Sequence, residues 1–237
     1  MLVLDDLSIG YDGKVIVSDM TLSLARGTMT CLLGNNGTGK STLLKTVAGF
    51  LKPISGSVVY GNRPLGSLSP RELATTVSVV LTGRSEGQML TVEDLVGLGR
   101  SPYTGFFGRL NADDRRVVDS CMEMIGITPL RRKTLSSLSD GEYQKAVIAK
   151  ALAQQTPVIL MDEPTAFLDF RSKVELMELS LRLAHSEDKT VLVTTHDVNL
   201  ALKIADSILL MRDGKVSANP DSEEIKDFIG SDAARYL

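Results

Sequence analysis

The chain has 237 residues, 43% of them hydrophobic and 23% charged, with a formal net charge of −3. These figures fit one large globular domain, or one domain carrying a sub-domain, and the slight acidity leaves no global basic footprint for nucleic acid. The opening MLVLDDLSIGYDG meets Asp5 and Asp6 before any cation, unlike a secretory leader, and no apolar run nears the ~20 residues that span a bilayer, so a cytoplasmic protein is expected.

In chain order, MLVLDD, KVIVSD and MTLSLARG read as short strands parted by GYDG and SD. TMTCLL (28–33) is a continuous apolar run, which predicts a strand buried on both faces. It leads into GNNGTGKS and then a helix on which Leu43, Leu44, Val47 and Ala48 keep helical spacing. SGSVVYG predicts a strand closed by a Gly61-Asn62 turn. Cys31 and Cys121 lie far apart without metal-type spacing and are expected to be buried free thiols.

From about 91 to 155 the pattern turns helical. TVEDLVGLGR opens on a Thr91-to-Asp94 cap, ADDRRVVDSCMEMIG carries acids in its first turn, and EYQKAVIAKALAQ follows. Strand signals return in PVILMDE (157–163) and TVLVTTH (190–196), with the helical RSKVELMELSLRLAH between them. His185 near that helix's end suits the dipole. SILLMR-DG-KVSA predicts a hairpin and DSEEIKDFIG a short capped helix. Strands alternating with helices on either side of a helical insert predict an α/β domain with a parallel sheet and a helical sub-domain.

GNNGTGKS, Gly34 to Ser41, fits Gly-x4-Gly-Lys-Ser between a buried strand and a helix. Its glycines let backbone N–H groups converge on phosphate oxygens, aided by the helix N-terminus. Lys40 can reach the β- and γ-phosphates and the Ser41 hydroxyl can ligate Mg²⁺. Asp162 ends a strand, where ligands of α/β sheets gather, and suits a metal or metal-water contact. Glu163 suits a base that polarises an attacking water. The expectation is a site that binds a nucleoside triphosphate and hydrolyses it.

Beyond these two motifs the chain resembles the nucleotide-binding subunits of ABC (ATP-binding cassette) transporters over essentially its whole length. LSDGE (138–142) is similar to that family's signature Leu-Ser-Gly-Gly-Gln, TAFLD (165–169) to its D-loop with Asp169, and TTHD to its switch with His196. Tyr11 stands where the family's adenine-stacking aromatic stands. The resemblance implies ATP with Mg²⁺, and a P-loop NTPase (ABC ATPase) fold: a largely parallel sheet, an N-terminal antiparallel β sub-domain and an inserted helical sub-domain. The nucleotide core with its β sub-domain is expected at about 1–87 and 156–237, and the helical part at 88–155. Nucleotide contacts are expected from Tyr11, from the loop residues Asn35, Asn36, Gly37, Thr38, Gly39, Lys40, Ser41 and Thr42, and from Ser139, Asp140, Gly141, Glu142 and Asp169. Glu163, His196 and Lys40 take the catalytic roles, and Ser41, Asp162 and Thr82 the metal.

Two positions depart from the family. Ser139-x-x-Glu142 still fits the capping box, so exchange of Gln for Glu keeps the local geometry, whereas Asp140 would repel a triphosphate unless it points away. Thr82 stands where the family has Gln, offering a hydroxyl with shorter reach, and Gln88 is not its shifted equivalent.

The resemblance further implies a head-to-tail dimer of two copies. LTVEDLVGLGRSPYTGFFGRL, EPTAFLDFRSK and HDVNLALKIAD look most like the ATPases of iron-chelate (siderophore, haem) and cobalamin importers. The partners would then be multi-spanning permease subunits with an extracytoplasmic substrate-binding protein, placing the chain at the inner face of the membrane. Thr82 to about Leu110 would form much of the permease groove, with Phe106 and Phe107 in the core of the helical sub-domain. The alternatives are a cobalamin importer ATPase, a soluble non-transport ABC ATPase, and a weakly hydrolysing regulatory module.

Overall fold

The computed structural model describes residues 1–81, 83, 89–105 and 107–233. Thr82, Gln88 and Phe106 lie outside the described residues.

The chain opens with an antiparallel pair, β1 (Leu2–Tyr11) and β2 (Lys14–Leu24). Asp12 and Gly13, at φ 50° and 78°, make the turn, the left-handed pair that matches strand twist. Two strands were expected over 14–24, but one runs through. Asp19 at φ 56° absorbs the interruption as a bulge, where the pairing slips between Leu7↔Met20 and Ile9↔Val17. Then come β3 (Thr28–Leu33), α1 (Lys40–Val47), β4 (Ser55–Tyr60) and the short β5 (Arg63–Pro64). A helix outside the sequence expectations, α2 (Pro70–Thr76), starts from a Ser69/Glu72 capping box with proline at its first position.

β6 (Val77–Val80) precedes the helical stretch of α3 (Val92–Gly97), α4 (Ala112–Met124) and α5 (Asp140–Ala153). The chain finishes with β7 (Val158–Asp162), α6 (Phe170–Glu187), β8 (Thr190–Thr195), α7 (Val198–Ile204), β9 (Ser207–Arg212), β10 (Lys215–Ala218) and α8 (Ser222–Ala233).

Two sheets result, β2-β1-β4-β5 and β10-β9-β3-β8-β7-β6. The second is parallel apart from the β9–β10 hairpin, turned by Asp213 and Gly214 at positive φ. Successive residues of its strands face opposite layers. Met29, Cys31, Leu33, Ile159, Met161, Val191 and Val193 pack toward α3 to α7. Leu32, Leu160, Leu192 and Leu209 pack toward α1 and the antiparallel sheet. The helical stretch thus shares its core with one face of the parallel sheet.

Both thiols are buried in that shared core, and burial pushes Cys31 up to about 12 and Cys121 up to about 11. Phe107 departs from expectation: it is 84% exposed and outside the core. His185 bonds Asp206 through Nε2 at 3.0 Å. Among the described residues no helix is long and apolar enough to cross a membrane.

Candidate active site

The phosphate loop links β3 to α1. Gly37 and Gly39 hold φ of 82° and 110°, a region open to glycine at little cost. At Gly39 a Cβ would also lie 2.8 Å from Ile16 Cγ2, so β2 closes against the loop here. The Thr38 hydroxyl donates to Asn35 O at 2.9 Å and fixes the turn. Lys40, 5% exposed, directs its ammonium back over the loop, donating to Gly34 O at 2.6 Å and Asn35 O at 3.1 Å. Phosphate oxygens would draw on this same ammonium.

Glu163 comes up against Lys40 from β7, with Oε1 at 3.5 Å from the ammonium. Its other oxygen faces His196 Nδ1 at 3.5 Å. Glu163 itself sits at φ 44°, a left-handed backbone that costs a non-glycine residue about 1 kcal/mol or more. Thr194 of β8 secures the bend: its hydroxyl accepts from Glu163 N at 2.9 Å and donates to Asp162 Oδ1 at 2.8 Å. Sequence reading missed Thr194. The available signal was a hydroxyl within an apolar strand, two residues before His196.

Tyr11, Ile16, Asn36, Gly37, Gly39, Lys40, Ser41, Thr42 and Glu163 line one cleft of about 310 Å³. Tyr11 takes a long 3.5 Å bond from the Thr42 hydroxyl and keeps 42% of its surface exposed, leaving its ring accessible for a base. Among the described residues no group of three or more His, Cys, Asp and Glu gathers as a metal cage. Ser41 lines the cleft with its hydroxyl, and the 4%-exposed Asp162 carboxylate adjoins Glu163, which lines it too. That fits Mg²⁺, which takes one or two protein oxygens and completes its shell with water and phosphate.

None of residues 138–142 is among the described residues lining this cleft. Ser139 caps α5, accepting from Glu142 N at 3.2 Å, while Glu142 Oε2 accepts from Ser139 N at 2.9 Å. That backbone donor holds the Glu142 carboxyl below its usual range, with help from Lys133. Asp140 and Gly141 form the first turn, where a Cβ on Gly141 would lie 3.3 Å from Phe167 O. Asp169 caps α6 through Ser172 N at 3.0 Å, and this backbone bond lowers its pKa as well. The structure therefore brings Tyr11, the loop, Asp162, Glu163 and His196 together, and sets the start of α5 against the 165–169 segment, whose Ala166 N donates to Glu163 O at 3.1 Å.

The family model for the ABC transporter matches residues 17–166. An uncharacterized ABC transporter ATP-binding protein of Methanocaldococcus jannaschii is 43% identical over 92% of this chain and 75% of its own length. The iron(3+)-hydroxamate import ATP-binding protein FhuC of Bacillus subtilis is 35% identical over 90% of this chain and 79% of its own. A dimeric ATP-binding cassette in a post-hydrolysis state, bound to ADP and Pi, superposes with a TM-score of 0.81 at 27% identity, covering 93% of this chain and all of that one. The chain belongs to the ABC transporter family, as an ATP-binding and ATP-hydrolysing subunit with that family's cassette fold.

Proposed function

We propose that this subunit powers import of an iron chelate, such as a siderophore or haem, through a membrane permease. The observation that carries the catalytic part is the position of Glu163, with one carboxylate oxygen toward Lys40 and the other toward His196. ATP would stack its base on Tyr11 and lay its phosphates along 35–42, with Lys40 on the β- and γ-phosphates. Bound Mg²⁺, held by Ser41 and Asp162, would supply charge neutralisation at the β- and γ-phosphates. Glu163 accepts a proton from the attacking water as the water oxygen bonds to the γ-phosphorus, the bond from that phosphorus to the bridging oxygen breaks to release ADP, and His196 steadies the γ-phosphate.

The cleft supplies one side of such a site. Ser139 Oγ and the Gly141 amide start a helix elsewhere on the chain, and a second copy arranged head to tail would present them to the γ-phosphate. Asp169 and its neighbours lie beside that helix start and would meet the same seam. The dimeric relative supports this assembly.

Import rests on the FhuC likeness. In this reading the chain sits at the inner face of the membrane on multi-spanning permease subunits, served from outside by a substrate-binding protein. Cobalamin is the second candidate cargo. The test is a pull-down of the Glu163→Gln protein from detergent-solubilised membranes with Mg-ATP, identifying the chains that co-purify. A multi-spanning subunit is expected; soluble partners alone would favour the non-transport reading and end the importer assignment.

A further inference from the structure

The signature stretch of this chain is acidic: LSDGE carries a formal charge of −2 at the helix start proposed to receive a γ-phosphate. Glu142 cannot turn away, because its Oε2 is committed to the cap as acceptor of Ser139 N at 2.9 Å. Its other oxygen receives Lys133 Nζ at 3.4 Å.

Lys133 is itself held in place. Its N–H donates to Leu130 O at 2.8 Å, its carbonyl accepts from Val92 N at 3.0 Å, and the next residue, Thr134, bridges to Thr91. The neighbouring cation Arg131 is already engaged by Glu93 and Asp119. Of the three cations in the 131–133 segment, Lys133 is the one paired with the signature, at Glu142.

We propose that Lys133 is a positioning residue for ATP turnover, one that cancels the charge of Glu142 so that an acidic signature can close on the γ-phosphate. This rests on the head-to-tail reading above. As a surface ion pair it adds little to stability. Its effect is on the field at the phosphate: an uncompensated carboxylate there opposes the anion that the helix N-terminus attracts.

Gln at 142 can keep the cap with its amide oxygen and removes only the charge, which gives a clean test. Steady-state Mg-ATP turnover is measured for the full chain and for Lys133→Met, Lys133→Arg, Glu142→Gln and the Lys133→Met/Glu142→Gln double variant, in low and high salt. Lys133→Met should raise KM for ATP about two- to fivefold with a smaller change in kcat, and Lys133→Arg should retain the parent KM. The rise should shrink in high salt, where the Debye length falls to about 3 Å at 1 M. It should vanish when Glu142→Gln is already present.

An equal rise in the Glu142→Gln background would mean that Lys133 acts on the nucleotide directly or through the fold, and would overturn the proposal. An unchanged KM in Lys133→Met would do the same while leaving the ATPase assignment standing. Absence of turnover in the parent protein would instead remove the reading on which the proposal rests.

Discussion

Thr194 and Asp162 are register partners across the parallel β7–β8 pair, and the Thr194 hydroxyl donates to Asp162 Oδ1 at 2.8 Å. The same hydroxyl accepts from Glu163 N at 2.9 Å, so one buried side chain sets both acidic residues. Thr194→Val keeps shape but strands a buried carboxylate oxygen and a backbone donor. It should cost about 1–3 kcal/mol in unfolding free energy and lower kcat more than it raises KM. Thr194→Ser should retain most of both. Turnover and urea unfolding on the three proteins would check this; an unchanged kcat in Thr194→Val would mean that Asp162 and Glu163 hold their places without it.

Glu163 and Lys40 separate chemistry from binding. Glu163→Gln removes the proton acceptor while retaining size, so kcat should fall on the order of 10²-fold or more while ATP binding persists. The variant should elute as a dimer with Mg-ATP and as a smaller species without it. Lys40→Ala removes the buried ammonium and should abolish tight ATP binding, as read by equilibrium titration with a fluorescent nucleotide. Normal hydrolysis by Glu163→Gln would sink the assignment of the base.

Local signals carried much of this architecture. GNNGTGKS lies between a buried apolar strand and a helix, and the structure has that order at β3, Gly34–Gly39 and α1. Thr91–Asp94 and Ser139–Glu142 are three residues apart, and both form reciprocal caps. What was not legible depends on tertiary pairing. Asp19 looks like a turn signal, yet pairing with β1 turns it into a bulge within one strand. Thr194 acquires its role only because β8 lies beside β7. Phe107 was misassigned because hydrophobicity without helical or strand period does not say which way a side chain faces. The Ser69–Glu72 cap was readable, but it opens a helix too short to show a period.

Several of these caps rest on ionised carboxylates, which sets an acid limit. Glu142 is held low by the Ser139 amide, Asp169 by the Ser172 amide and Asp94 by the Thr91 hydroxyl. A carboxyl whose folded pKa lies below its unfolded value adds stability that is present above the unfolded value. That stability is lost as pH falls through the folded one. Unfolded values are about 3.9 for Asp and 4.3 for Glu. These caps should therefore contribute fully from neutrality down to about pH 5 and fade below about pH 4. Thermal melts of the parent and of Ser139→Ala would show it: the gap between them should narrow at acid pH. A gap independent of pH would mean that ionised Glu142 does not hold the cap.

The helical stretch has its own anchor in Arg100 and Asp114, paired at 2.9 Å with side chains 8% and 3% exposed. Arg100 also donates at 2.8 Å to Ala153 O, at the C-terminus of α5, and to Gln155 Oε1, and its guanidinium lies 4.1 Å from the Tyr103 ring centroid. One cation therefore ties the end of α3, the start of α4 and the end of α5. Asp114→Asn keeps an acceptor for the α4 cap, which Asp114 takes from Asn111 N at 3.1 Å, and leaves the guanidinium uncompensated. That should cost about 3 kcal/mol, since breaking a buried pair strands a charge. Asp114→Ala should cost about 1 kcal/mol more through the lost cap bond. Arg100→Leu combined with Asp114→Asn should cost less than the sum of the single changes, because no buried charge is left over. Turnover per folded molecule should hold in all of them, as neither residue lines the nucleotide cleft. Additive costs in urea unfolding would show that Arg100 and Asp114 stabilise the stretch separately.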